Sequence, residues 1–198
     1  MVKKLSKYVK EYKSSAILTP IFVIFEVIME VFIPFLMAKI IDVGINGGNV
    51  SYIVQMGTIL ILCAILSLIF GMLSGKFAAK ASAGFAKNLR KEMFYKVQDY
   101  SFENINKFST SSLVTRMTTD VTNVQMAFQM IIRILVRGPI MMIFALIMVL
   151  SINVRLSLIF LIAIPILGGI LFFIAIKAHP NFERVFKKYD SLNRVVHE

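Results

Sequence analysis

Four long apolar runs, at 14–41, 52–75, 138–150 and 156–176, constrain this chain more than any other feature. About 20 apolar residues span the ~30 Å of bilayer hydrocarbon, and only helices or closed barrels satisfy their backbone polar groups there. The 198 residues are 58% hydrophobic and 17% charged, below the roughly one quarter typical of soluble domains. An all-α membrane protein follows. Cys63, the single cysteine, lies within an apolar run and fits a small packed hydrophobe; it excludes an internal disulfide and a multi-cysteine metal site.

Residues 1–13 place five lysines around Leu5, Val9 and Tyr12. This spacing predicts a short basic helix lying in the headgroup layer, against the alternative of a solvated tail. The first span, 14–41, carries Pro20 and Pro34, which are expected to bend it, and ends in a Gly- and Asn-rich turn at 42–49. The second, 52–75, continues as an amphipathic helix to about Tyr100. Ser67, Gly71, Gly75, Ala79 and Ala83 recur at every fourth position along it, a ladder suited to close helix packing.

Residues 102–120 form a polar tip, after which the chain climbs back from near Val121. Thr122 with Gln125 makes a candidate capping box, with Asp120 as a competing N-cap. Arg133 and Arg137, one turn apart, are expected at the headgroup boundary before the dense apolar run 138–150. A very short connector, 151–155, leads to the fourth span, 156–176, where Pro165 and Gly168-Gly169 suggest a flexible point.

Of 22 Lys and Arg, only Lys39 and Arg155 flank the two short connectors; the other 20 lie in the N-terminus, in 76–137 and in 177–198. The positive-inside rule makes those three regions cytoplasmic, so the N-terminus is cytoplasmic and the protein multi-pass in the cell membrane. The net charge of +11 is thereby explained by orientation, and nucleic acid is not an expected partner.

Within the first span, Glu26 and Glu30 lie one turn apart at a depth where charges are costly and normally face a cavity or a partner. Two roles stand open: lining a cavity with Phe22 and Met29, to attract cationic amphiphiles or hold protons, or forming a structural pair bonded to other helices. His179 and His197 have no Cys or second His at ligand spacing, so no metal site is expected. No nucleophile–base constellation occurs.

The tip Phe108-Ser-Thr-Ser-Ser-Leu-Val-Thr-Arg-Met-Thr-Thr-Asp120 resembles the F-x-x-x-x-L-x-x-R-x-x-x-D pattern of type-1 ABC exporter membrane domains. The junction Asn153-Val-Arg-Leu156 followed by Pro165 is similar to the family's third-to-fourth helix connection, and Tyr189–Glu198 resembles the start of its second cytoplasmic loop. The basic segment 1–13 is similar to its elbow helix. Ser111 departs from the family, many members having Gly there.

The resemblance implies four of the six long transmembrane helices of an exporter membrane domain, with cytoplasmic helical extensions at 76–137 and 177–198. It makes 102–120 a coupling helix against ATPase domains, with Ser111, Ser112 and Leu113 in contact and Arg116 and Asp120 stabilising the tip. Arg116 and Asp120 are otherwise an ordinary surface pair worth about 0.3–0.5 kcal/mol. It further implies a second exporter half as homo- or heterodimer partner, membrane lipid as surroundings, and ATP with Mg in an ATPase domain outside this chain. No GxxxxGK[ST] phosphate loop occurs in the sequence, so the chain is expected to hold no cofactor and not to be an enzyme. Relative to the family it stops after the fourth helix, as a fragment or truncated product, with poor stability alone expected. The alternative is a self-contained four-helix scaffold or sensor.

Overall fold

The computed structural model describes residues 6–99 and 110–196, with side chains described for 7–99 and for 112–177 apart from 156 and 175. Among these the elements are helical throughout. A 3-10 turn, Ser6–Tyr12, leads into α1, Lys13–Lys39, which passes into a π turn at Ile40–Ile45. Helix α2 covers Val50–Gln98. After it come the short α3, Thr110–Thr115, and α4, Val121–Met130, joined by a π turn at Arg116–Asp120. A further π turn, Ile131–Leu135, precedes α5, Val136–Ile152, and α6 runs from Val154 to Val196.

Four helical stretches are long and apolar enough to cross a membrane: Lys7–Ile45, Val50–Gln98, Ser112–Ile152 and Ser157–Ile174. The protein is therefore a multi-pass, all-α membrane protein. Leu5 and the tip residues 102–109 lie outside the described residues, as do the side chains of Ser111, of His179 and of the 189–198 motif.

The chain divides into two units, Met1–Ala145 and Leu146–Glu198. In the first, α1 and α2 pack antiparallel, since Gly44 meets Ile53 near one end and Asn88 donates to the Tyr8 carbonyl near the other. Val23 and Val27 of α1 and Ala78, Ala81 and Phe85 of α2 are buried, together with Thr19, Ser74 and Ser82. The turn between the helices is set by Gly48, at φ 64, and by Asn49, whose side chain caps α2 by accepting from the Tyr52 N–H at 3.1 Å.

The small-residue ladder departs from its expected course. Ser67 is buried and Gly71 and Gly75 are half-buried, but Ala79 and Ala83 stand exposed while Ser74, Ala78, Ala81 and Ser82 are buried. At about 3.6 residues per turn, every-fourth spacing drifts around the helix, and a straight seam needs steps of three and four alternately.

Pro20 and Pro34 lie inside α1, which continues through both. Pro139 leaves a clearer mark. It lacks the N–H that would bind the Leu135 carbonyl, and the π turn ends at that residue. Thr122 does not open a helix, because residues 110–152 form one helical run with no N-terminus there to cap. Its hydroxyl instead donates to the Thr118 carbonyl at 2.8 Å, and Asp120 makes no capping bond.

The second unit contains the end of α5 and α6. The helices are separated only at Asn153, whose side chain accepts from the Arg155 N–H at 2.9 Å. Helix α6 runs unbroken through Pro165 and Gly168-Gly169.

Candidate functional site

The charged centre of the first unit is built by three helices. Arg137, at the start of α5, splits its guanidinium between two carboxylates of α1. Its Nη1 donates to Glu26 Oε1 at 2.7 Å, and its Nη2 lies 2.7 Å from both Glu30 oxygens. Glu26 also accepts from Ser74 Oγ of α2 at 3.3 Å. Glu26 and Glu30, one turn apart, face the same guanidinium because i and i+4 lie on one helix face. Glu26 is 5% exposed, so it needs these partners: an unpaired charge at such burial costs several kcal/mol.

Gly71 makes room for this cluster. A β-carbon there would lie 3.3 Å from Glu26 Oε1, and one at Gly75 would lie 3.6 Å from Arg133 Nη1. The sequence places both arginines at a headgroup boundary, but Arg137 reaches the middle of α1. The physical reason is the carboxylate pair, which binds a guanidinium in a forked geometry that an isolated apolar helix face cannot offer. The charge pattern alone lacks the depth alignment of α1 with α5.

Two cavities adjoin the cluster. One, of about 480 Å³, is lined by Glu26, Glu30, Ser67, Gly71 and Arg133 among others. The second, of about 460 Å³, is lined by Met126, Gln129, Met130, Arg133, Ile134 and Arg137. Phe22 packs between α1 and α2, stacked on Phe77 at 5.4 Å, and Met29 lines neither cavity.

Near the tip, Ser112 and Leu113 are half-buried and Val114 is exposed. Arg116 and Asp120 come together on a groove of about 340 Å³ with Leu89, Met93, Val121 and Val124. Arg90 of α2, not singled out by the sequence, joins the two arms. It donates from Nε to the Met117 carbonyl at 3.3 Å and from Nη2 to Thr122 Oγ1 at 3.0 Å. One basic residue among many on an amphipathic helix carries no signal of that partner.

The N-terminal turn is held by the far part of α2. Lys10 Nζ pairs with Glu92 Oε1 at 2.7 Å, and Asn88 Nδ2 donates to the Tyr8 carbonyl at 3.0 Å. The Tyr12 ring lies over Gly84, where a β-carbon would be 2.3 Å from it. Where the lysine pattern suggests a helix facing headgroups, the described part is a 3-10 turn seated on α2, with Lys10 at φ 38 breaking the helical path.

Long apolar helices with a buried charge cluster and helices extended beyond the apolar runs define a polytopic membrane protein of the transporter class. The sequence model of the ABC transporter transmembrane region matches residues 16–198, and the chain belongs to that family. It is 34% identical over 197 residues to the uncharacterized ABC transporter ATP-binding protein YfiB of Bacillus subtilis (strain 168), covering 100% of this chain and 34% of that protein. It is 27% identical over 201 residues to the uncharacterized ABC transporter ATP-binding protein MT1311 of Mycobacterium tuberculosis (strain CDC 1551 / Oshkosh), covering 98% of this chain and 33% of that protein. Similarity to the ATP-dependent lipid A-core flippase of Pseudoalteromonas translucida (strain TAC 125) is 29% over 168 residues, covering 85% and 29%. The chain spans about a third of the length of these relatives, and the family match is to the membrane region.

Proposed function

We propose that this chain forms part of the substrate pathway of an ATP-driven exporter and couples it to cytoplasmic ATPase domains through the tip at 102–120. The observation that carries the proposal is the single helical run from Thr110 to Ile152. It has the tip at one end and Arg137, bound to Glu26 and Glu30, further along. Backbone hydrogen bonds make such a run stiff, and Arg90 ties its first turns to α2, so a push at Leu113 is transmitted rather than absorbed.

In this scheme Ser111, Ser112 and Leu113 meet the ATPase domain while Arg116 and Asp120 hold the tip. ATP and Mg belong to that domain, and a second exporter half, identical or different, completes the pathway. Glu26 and Glu30 belong to the pathway wall as a pair already engaged by Arg137, with Ser67, Gly71 and Gly75 packing α2 beside them. The distribution of Lys and Arg supports a cytoplasmic N-terminus in the cell membrane. The lipid A-core flippase among the relatives supports an amphiphilic cargo.

The test is Leu113→Asp in the full transporter. ATP hydrolysis should persist while transport is lost and membrane insertion stays normal. Transport at the wild-type rate would overturn the coupling role.

A further inference from the structure

The cavity of about 460 Å³ has an unusual lining for a membrane-embedded wall: two arginines, one carboxamide, and the apolar Met126, Met130 and Ile134, with no acidic residue. Arg137 in this lining is engaged by Glu26 and Glu30. Arg133 is different. It is half-buried, lies against Gly75 at the end of the apolar run 52–75, and forms no hydrogen bond or ion pair among the described residues. A guanidinium in such a place normally faces a partner or a watery cavity, because desolvating it alone is costly.

Gln129 supplies the third polar group. Its Oε1 lies 3.1 Å from Ser82 Oγ, which anchors the carboxamide to α2. A carboxamide has two N–H donors and one acceptor, so at least one N–H remains for the cavity whichever way round it sits. Arg133 and Gln129 lie one turn apart on the same face of the helical run, with Met126, Met130 and Ile134 forming the apolar wall beside them.

From this lining we infer that the cavity binds the anionic headgroup of a membrane amphiphile, a phosphate or carboxylate bearing an apolar tail. Arg133 supplies the charge, Gln129 an N–H, and Arg137 a second positive centre already fixed in place. The tail lies along Met126, Met130 and Ile134. Methionine adapts to tails of varied shape, whereas the guanidinium demands an anion. The carboxylates do not recruit a cationic amphiphile here, since Arg137 occupies them. This rests on the proposed transport role only in making the bound amphiphile cargo.

The experiment uses the full transporter in an uncharged maltoside detergent, without ATP, so that a failure of coupling through the tip leaves the result intact. Dodecyl phosphate, dodecyltrimethylammonium and inorganic phosphate are titrated by calorimetry. Dodecyl phosphate should bind saturably, the cationic amphiphile should not displace it, and inorganic phosphate should bind at least about tenfold more weakly for want of a tail. Arg133→Gln should weaken dodecyl phosphate at least about tenfold, and Arg133→Lys less. If Arg133→Gln fails to fold, Ile134→Glu serves instead. Ile134 is 63% exposed, and a carboxylate there should repel the headgroup and weaken binding to a similar degree. Unchanged affinity in the folded variant, or equal binding of the cationic amphiphile, would overturn the inference. Inorganic phosphate binding as tightly as dodecyl phosphate would replace the amphiphile by a free anion, and so overturn it too.

Discussion

Gly71 on α2 and Glu26 on α1 lie so close that a β-carbon on the glycine would stand 3.3 Å from the Glu26 Oε1 atom. The missing side chain is thus what lets a second helix close over a carboxylate that is already held by Arg137 and Ser74. Small residues in membrane helices are usually discussed as sites where backbones approach each other. Here the approach is of a backbone to a charge.

Substitution at Gly71 should therefore depend steeply on size. Gly71→Ala gains up to about 1 kcal/mol of helix propensity, offset by the few tenths of an ångström that Glu26 must yield. Its stability should stay near wild type. Gly71→Val should cost on the order of 1–3 kcal/mol through overpacking. Denaturant unfolding of the full protein in detergent would measure both, and a neutral Gly71→Val would contradict the contact.

Removing Arg137 should be worse than removing the whole cluster. Arg137→Gln leaves two carboxylates facing each other, and fully buried pairs lose about 3–5 kcal/mol when broken in this way. Arg137 and Glu30 are 35% and 30% exposed in their side chains, so a loss on the order of 2 kcal/mol is expected. Adding Glu26→Gln and Glu30→Gln to Arg137→Gln should recover most of it. A triple variant less stable than the single one would refute this account.

At the N-terminus, Gly84→Ala should release the 3-10 turn, because the new methyl group would occupy the Tyr12 ring position. Hydrogen exchange should quicken at Tyr8–Tyr12 while the α1–α2 core around Val23 stays protected. Unchanged exchange at Tyr8–Tyr12 would show that the ring is not what seats the turn.

The same turn should respond to pH at both extremes. The hydrogen bond between Lys10 and Glu92 raises the lysine pKa and lowers that of the carboxylate. A raised lysine contributes stability below its ordinary pKa of about 10.4 and loses it as pH rises through the higher folded value. A lowered glutamate contributes above about pH 4.3 and loses it as pH falls through the lower folded value. Protection of the turn should be flat between these limits, fall beyond either, and weaken with salt since both groups are exposed. Equal protection in Glu92→Gln across the whole range would rule the pair out as its source.

Much of this was legible before any coordinates. The four apolar runs fix a helical membrane protein, since nothing else satisfies the backbone in hydrocarbon. The depth of Glu26 and Glu30 marked them as needing partners, and the tip stood out by its polarity. Arg137 was misjudged because two arginines at helical spacing look alike whether they face headgroups or carboxylates. Arg90 gave no signal at all.

Sequence alone determined the class of solvent, the helices and the presence of costly charges, because these depend on composition and local periodicity. Tertiary structure decided which arginine meets the carboxylates and which is left over a cavity. It also decided that the α2 seam follows Ser74, Ala78 and Ser82 rather than Ala79 and Ala83. Those outcomes depend on how three helices align along and around their axes. A shift of one residue turns a helix by about 100° and one turn moves it by about 5.4 Å, enough to exchange one partner for another.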